Sequence, residues 1–211
     1  GSGPTDDRKQ AYGHAFVVLA GASATLAGVP GGEELLADAL AAFERFWEEP
    51  VGLPREEFDR AWSTPEDYRG LNATMHALEA LLAASEALTG EAAALQRDRA
   101  RRIAHRVAGW AHRHEGRLPE HHDASWRPLL EHHADRPDDP FRPYGATVGH
   151  GLEWSRLLLA TRALVGDPDD TLIEAGRVLF GRAVADGWAV DGADGFVYTT
   201  DWSGRPVVRA R

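Results

Sequence analysis

The sequence predicts an all-α protein of successive helical hairpins, closed near its C-terminus by a small β-hairpin. Three observations carry that prediction. Helical runs that are apolar nearly all the way round alternate with runs that are apolar on one stripe only. The pairing recurs three times, roughly 60 to 75 residues apart. A chain of 211 residues with 43% hydrophobic and 27% charged residues has the composition of a globular domain, neither disordered nor membrane-spanning.

The elements follow in order. From residue 6 to about residue 26, and carried by "AYGHAFVVLAGASATLAG" (residues 11–28), the sequence has the pattern of a helix that touches protein on every side, and Pro30 with two glycines punctuates its end. In "GEELLADALAAFERFWEE", Leu36, Leu40, Phe43 and Trp47 form one stripe with acids opposite, so that helix covers something. "LNATMHALEALLAASEAL" is again small and apolar, and "AALQRDRARRIAHRVAGWAHR" after it is amphipathic. The third pair joins "GHGLEWSRLLLATRAL" to "DDTLIEAGRVLFGRAVADGW". Inner helices lining a centre, each backed by an outer helix, account for the alternation. Between the second and third pairs, "GRLPEHHDASWRPLLEHHADRPDDPFRPYGAT" is too long for an idle connection, and long loops of this kind tend to carry function. "WAVDGADGFVYTTDWSGRPVVRAR" places Val, Phe, Tyr and Thr around glycine turns and reads as the β-hairpin.

Charge and composition exclude several classes of partner. A net charge of -10 repels a phosphate backbone, and the basic run at residues 97–106 reads as the solvated face of one helix, so no nucleic acid is expected. The absence of cysteine excludes disulfides, thiolate metal sites and cysteine nucleophiles and suits a reducing cytoplasm. The leading "GSGPTDDRKQ" has no charged n-region and no apolar h-region, so neither a secretion signal nor a membrane partner is expected.

Each inner helix carries a histidine near its start: His14, His76 and His150. Glu79 and Glu153 follow the last two at i+3, on the same helix face. A lone histidine on an apolar helix is ordinarily a hydrogen-bonded core residue. Repetition at matching helix starts favours function instead for His150, whereas His14, with no glutamate partner, stays open between the two. An imidazole in a first helical turn feels the positive end of the dipole, which disfavours its cation, and a neighbouring carboxylate does the reverse. A histidine so balanced can act as acid or base near neutrality.

A metal is the rival reading. Di-iron bundles, however, use Glu-x-x-His with extra bridging glutamates that have no evident counterparts here. "EHHD" at residues 120–123, with His132 and His133, supplies further candidate ligands, although surface histidines of a polar loop explain them more simply. Trp126, Tyr144 and Trp154 flank the polar residues, where rings either stack on sugar faces or serve as ordinary core.

The runs "YRGLNATMHALEALLAASEALTG", "RPYGATVGHGLEWSRLLL", "AYGHAFVVLA" and "DGFVYTTDWSGRPVVRAR", four separate motifs in the right order along the chain, together resemble the N-acylglucosamine 2-epimerase superfamily, and within it the bacterial aldose-ketose isomerases that interconvert mannose and fructose. The resemblance covers nearly the whole chain as one α/α-barrel domain. It implies an (α/α)6 barrel of twelve helices, of which about six are present here, and a monosaccharide substrate with no metal or nucleotide cofactor. It also implies that His150 serves in acid/base catalysis and that Glu153 assists near the ring oxygen. Asn72 and His76 would line the substrate pocket, with Tyr12, Trp126 and Trp154 as further sugar-facing candidates.

Two features of the family are not found in these residues: an early arginine that holds the sugar, and a second catalytic histidine in an Arg-x-His-Trp-like motif after the hairpin. The expectation is therefore a portion of a longer chain, in which a ring half built would expose apolar helix faces and homo-oligomerise to cover them. The neighbouring activity is 2-epimerisation of N-acylglucosamine or cellobiose. From other classes, a non-catalytic helical scaffold binding a sugar or a protein fits the pattern, as does a glycosidase using Glu120, Asp123 or Glu153 as a carboxylate pair.

Overall fold

The computed structural model describes residues 6–166 and 168–209; the leading GSGPT and the last two residues of VVRAR, on which the reading of the termini falls, lie outside the described residues. The chain divides into two compact units, residues 1–103 and 104–211.

In the first unit, β1 (Lys9–Gln10) leads into α1 (Ala11–Leu26), followed by α2 (Gly32–Phe43), β2 (Trp47–Glu48), β3 (Leu53–Pro54), β4 (Glu57–Phe58), β5 (Tyr68–Gly70) and α3 (Leu71–Ala87). Helix α1 packs against both α2 and α3. Its own surface is made of small residues where the helices cross. A Cβ added at Gly21 would sit 2.8 Å from the Cα of Leu36, so only bare backbone lets α1 and α2 approach this closely. Two short antiparallel pairs, β1 with β4 and β2 with β3, tie the connecting segment back onto the helices.

Two expectations change here. Helix α1 does not touch protein on every side: Ala11, Ala15, Val18, Gly21 and Ala22 are buried, while Tyr12, Val17 and Leu26 are exposed. Two neighbours occupy two flanks of a helix and leave a third arc open. The apolar stripe of α2 also ends sooner than its sequence suggests. Leu36, Ala39 and Phe43 are buried, a 3-10 turn at Glu44–Phe46 closes the helix, and Trp47 is buried from β2.

Helix α4 (Gly90–Arg113) contributes residues to both units. Its basic run is not simply solvated. Arg99 is 5% exposed, lies 4.9 Å over the ring of Trp47 and reaches Glu44 at 2.7 Å, and Arg102 pairs with Glu49. A planar guanidinium can be buried where an aromatic face and a carboxylate meet it together, and that is why Arg99 departs from the expected solvent face.

The second unit continues from α4 through β6 (His121–Asp123) and β7 (Ala146–Thr147) into α5 (Val148–Val165), then α6 (Thr171–Gly187), β8 (Thr199–Thr200) and β9 (Pro206–Val208). Helices α5 and α6 form the expected hairpin. They approach through small residues: a Cβ at Gly151 would meet that of Ala183 at 3.3 Å, and Ser155 Oγ donates to the carbonyl of Gly176 at 2.8 Å. The C-terminal hairpin is β8 with β9, and β7 joins it as a third antiparallel strand. Gly145 enters β7 at φ +93°, with the carbonyl oxygen of Thr200 only 2.1 Å from where a Cβ would stand. Among the described residues, no helix is long and apolar enough to cross a membrane.

Candidate active site

The sheet of the second unit launches α5. Ala146 and Thr147 pair with Thr200 and Thr199, and the N–H of Val148 donates to the carbonyl of Tyr198 at 3.0 Å, so the helix begins directly at the sheet. His150 stands in its first turn. Nδ1 of His150 lies 3.1 Å from Oε2 of Glu120, whose side chain is 5% exposed against 23% for the imidazole.

Glu120 owes its position to the firmly held segment after it. The ring N–H of His121 donates from Nε2 to the carbonyl of Pro143 at 2.8 Å, and the N–H of Leu129 donates to the carbonyl of His121 at 2.8 Å. Asp123 closes the following turn by accepting from the N–H groups of Ser125 and Arg127.

Burial pulls the pKa of His150 down, but the charge and close approach of Glu120 together with the charge of Glu153 outweigh it, and the net displacement is upward. The acid partner within reach of the ring is thus Glu120, thirty residues away in sequence by subtraction of the two positions, whereas Glu153 contributes at longer range. Tyr198 has its phenol pushed up by burial and then by the charge of Glu120.

The loop histidines are not surface residues, and that expectation is corrected. His121 is 4% exposed and His122 has no exposed surface. The ring of His122 stacks on Trp110 at 4.8 Å and lies 5.4 Å from Trp126, and its desolvation lowers its pKa to about 4. His132 is held down to about 4 as well, by burial first and then by the charges of His121 and His133. His132 and His133 stack at 4.0 Å, and Nδ1 of His133 donates to the carbonyl of Arg142 at 2.7 Å. Aromatic rings and backbone carbonyls take the place of solvent around these imidazoles, while much of the Pro-rich segment stays exposed.

Trp154 and Trp126 are corrected too. Trp154 has no exposed surface and Trp126 is 7% exposed, so both belong to the core of the unit and neither presents a face to a sugar. Tyr144 is half-buried, with its phenol raised by burial first.

In the first unit, α1 and α3 bring Tyr12 and His76 together. The Tyr12 ring meets the His76 imidazole edge-on at 5.2 Å, Phe16 meets it at 4.7 Å, and Nδ1 of His76 lies 3.5 Å from Oε2 of Glu79. Asn72 is half-buried one turn earlier on the same helix. His14 resolves as a packing residue: its Nδ1–H donates to the carbonyl of Gln10 at 2.8 Å, and its ring lies 5.0 Å from Phe46 and 5.5 Å from Trp62.

Glu120 is what the i+3 rule missed, because that rule sees only acids on the histidine's own helix. The available signal was an acid at the head of a short run, "EHHD", inside a long loop.

Antiparallel helix packing in each unit, with an imidazole and a buried carboxylate meeting at the start of α5, defines an α/α-repeat protein. The chain belongs to the N-acylglucosamine 2-epimerase (GlcNAc 2-epimerase) family, whose model matches residues 1–211. It is 51% identical over 207 residues to a D-mannose isomerase from Thermobifida fusca, covering 98% of this chain and 50% of that protein. A D-mannose isomerase from Pseudomonas cannabina pv. alisalensis is 45% identical over 214 residues, covering 99% of this chain and 51% of the relative. A crystal structure of D-mannose isomerase superposes with a TM-score of 0.86 at 28% identity, over 96% of this chain and 51% of that one. The chain therefore spans about half the length of the curated relatives it matches. The expected fold class holds: the six helices seen among the described residues are part of an (α/α)6 barrel.

Proposed function

We propose that these residues belong to an aldose-ketose isomerase that interconverts D-mannose and D-fructose, with His150 as its acid/base. The observation that carries the proposal is the half-buried imidazole in the first turn of α5, 3.1 Å from a buried carboxylate whose charge favours its cation. Relatives bearing the name D-mannose isomerase at 51% and 45% identity support the choice of sugar.

The chemistry asks little beyond proton transfer. Opening the ring frees the C1 aldehyde, and neutral His150 takes the proton from C2. The electron pair forms a C1=C2 enediolate with its charge on O1. Return of that proton to C1, with a proton moving from O2 to O1, completes the ketose. Glu153, one turn along α5, is proposed to aid ring opening. Asn72 and His76 are proposed to hold sugar hydroxyls, with Tyr12 beside His76. A cysteine-free chain suits a cytoplasmic setting.

NMR of the full chain that carries these residues, incubated with D-mannose in deuterated water, tests the proposal. Fructose, with any exchanged deuterium at C1, is the expected product, and His150→Ala should abolish it while leaving the helical circular dichroism intact. Glucose in place of fructose would make the protein a 2-epimerase. Near-wild-type turnover by His150→Ala would remove that residue from the mechanism.

A further inference from the structure

We infer that Glu120 is the positioning carboxylate of His150, fixing which ring nitrogen carries the transferable proton; its catalytic meaning rests on the isomerase proposal above. The two side chains come from different elements. Glu120 stands immediately before β6 and His150 in the first turn of α5, and their 3.1 Å contact joins Oε2 to Nδ1. Nδ1 faces the carboxylate at ion-pair distance, out of line for a hydrogen bond in this conformation, so a proton on the ring is best placed at Nδ1 and Nε2 is the nitrogen left to take a proton and return it. A third group that orients a base is the general form of such an arrangement.

Burial gives the contact its weight. A carboxylate that is 5% exposed loses most of its hydration and needs a compensating donor or cation. Oε1 of Glu120 and Nδ1 of His150 are both buried without a hydrogen-bond partner among the described residues, so the 3.1 Å approach of Nδ1 to Oε2 compensates the carboxylate by charge.

Competition with other groups also favours this pairing. Three histidines feel the charge of Glu120, namely His121, His122 and His150. Desolvation keeps the first two neutral despite that charge, and only His150 has its cation favoured. The charged groups acting on His150 are Glu120, from the segment before β6, and Glu153, from its own helix; Tyr198, from the segment before β8, senses Glu120 as well. Glu153 acts by charge alone, whereas Glu120 also touches the ring. The buried glutamate thus serves the histidine, and Glu153 keeps the role proposed for it above.

Protonation of His150, followed by NMR of ring-labelled histidine in wild type, Glu120→Gln and Glu153→Gln, tests the inference without any sugar. In wild type the neutral ring should be the Nδ1–H tautomer. In Glu120→Gln, which keeps shape and loses charge, the titration midpoint of His150 should fall, and in Glu153→Gln it should fall less. A wild-type ring that is mainly the Nε2–H tautomer would overturn the inference with no substitution needed, and so would an unchanged midpoint in a folded Glu120→Gln.

Turnover supplies the second readout. Glu120→Gln should lower kcat about 10- to 100-fold with KM little changed, as is usual for a group that acts through a catalytic neighbour. The limb of the pH profile set by His150 should move to lower pH, because loss of the carboxylate makes the imidazolium more acidic. A merely structural residue would lower the amount of folded enzyme and leave the profile in place, and that result would overturn the inference. A midpoint that falls as expected in a protein whose wild type does not turn over mannose would sink the isomerase proposal and leave the Glu120 pairing standing.

Discussion

His122 and His150 are both withdrawn from water, yet their surroundings drive them to opposite charge states. His122 lies against two indole rings, and its desolvation outweighs the charges of Glu120 and Asp123, so its pKa falls from 6.5 to about 4. Between those values the unfolded chain takes up a proton that the folded chain refuses, so stability is lost as the pH drops through that window, by roughly 3 kcal/mol. His150 works in the other direction. Its raised pKa contributes stability that is complete below its unfolded value and lost as pH rises through the folded one. His122→Phe, which keeps the stacked ring and removes the titration, should flatten the loss of unfolding free energy measured in urea between pH 7 and 4. An undiminished loss in the variant would show that the imidazole is not held neutral. At this scale the sequence pointed correctly to a histidine at the start of α5 but could not say which acid would reach it. Which face a loop carboxylate presents is decided by burial, and the burial of Glu120 is a consequence of tertiary packing with no local pattern to announce it.

The helices were legible because each is long enough to display its period: α3, α4, α5 and α6 run for 17, 24, 18 and 17 residues. The strands were not, since β6 and β7 have three and two residues and a two-residue alternation cannot be recognised at that length. The sign that remained was the glycine in "YGAT", which marks a close backbone approach without naming the partner. Gly145→Ala would force a Cβ to within 2.1 Å of the Thr200 carbonyl oxygen at a φ of +93°, so β7 would have to leave β8 and the start of α5 would move with it. The expected cost is about 2 kcal/mol or more, read as a lowered urea midpoint. Gly181 in α6 makes the contrast. A Cβ there meets nothing within 4 Å, and Gly181→Ala should stabilise the chain by about 0.5 to 1 kcal/mol through the unfolded state alone. Equal effects at the two positions would mean that β7 is not pinned by the sheet.

Helix α4 is the one element that belongs to both compact units, and that gives the whole chain a mechanism for folding as one. Before the division at Ile103 its Ala93, Ala100 and Ile103 are buried, and after it Ala104, Val107, Ala108 and Trp110 are. Unwinding α4 on one side of the division removes the hydrogen bonds that straddle it, and continuing an existing helix is far easier than starting a new one, so each end favours the other. We propose on this ground that residues 1–211 unfold as a single domain. Trp47 and Trp62 report on the first unit, Trp110, Trp126, Trp154, Trp188 and Trp202 on the second, and circular dichroism on the six helices of the described residues. In urea the fluorescence and dichroism transitions of the wild type should coincide. Ala104→Pro removes a backbone donor and clashes with the preceding turn at the division itself, at a cost of about 3 kcal/mol or more. If α4 is the coupling element, the two transitions should separate in that variant while each half keeps its own cooperativity. Transitions already separate in the wild type would mean that the two units fold independently, and a single transition persisting in Ala104→Pro would mean that something other than the continuity of α4 joins them.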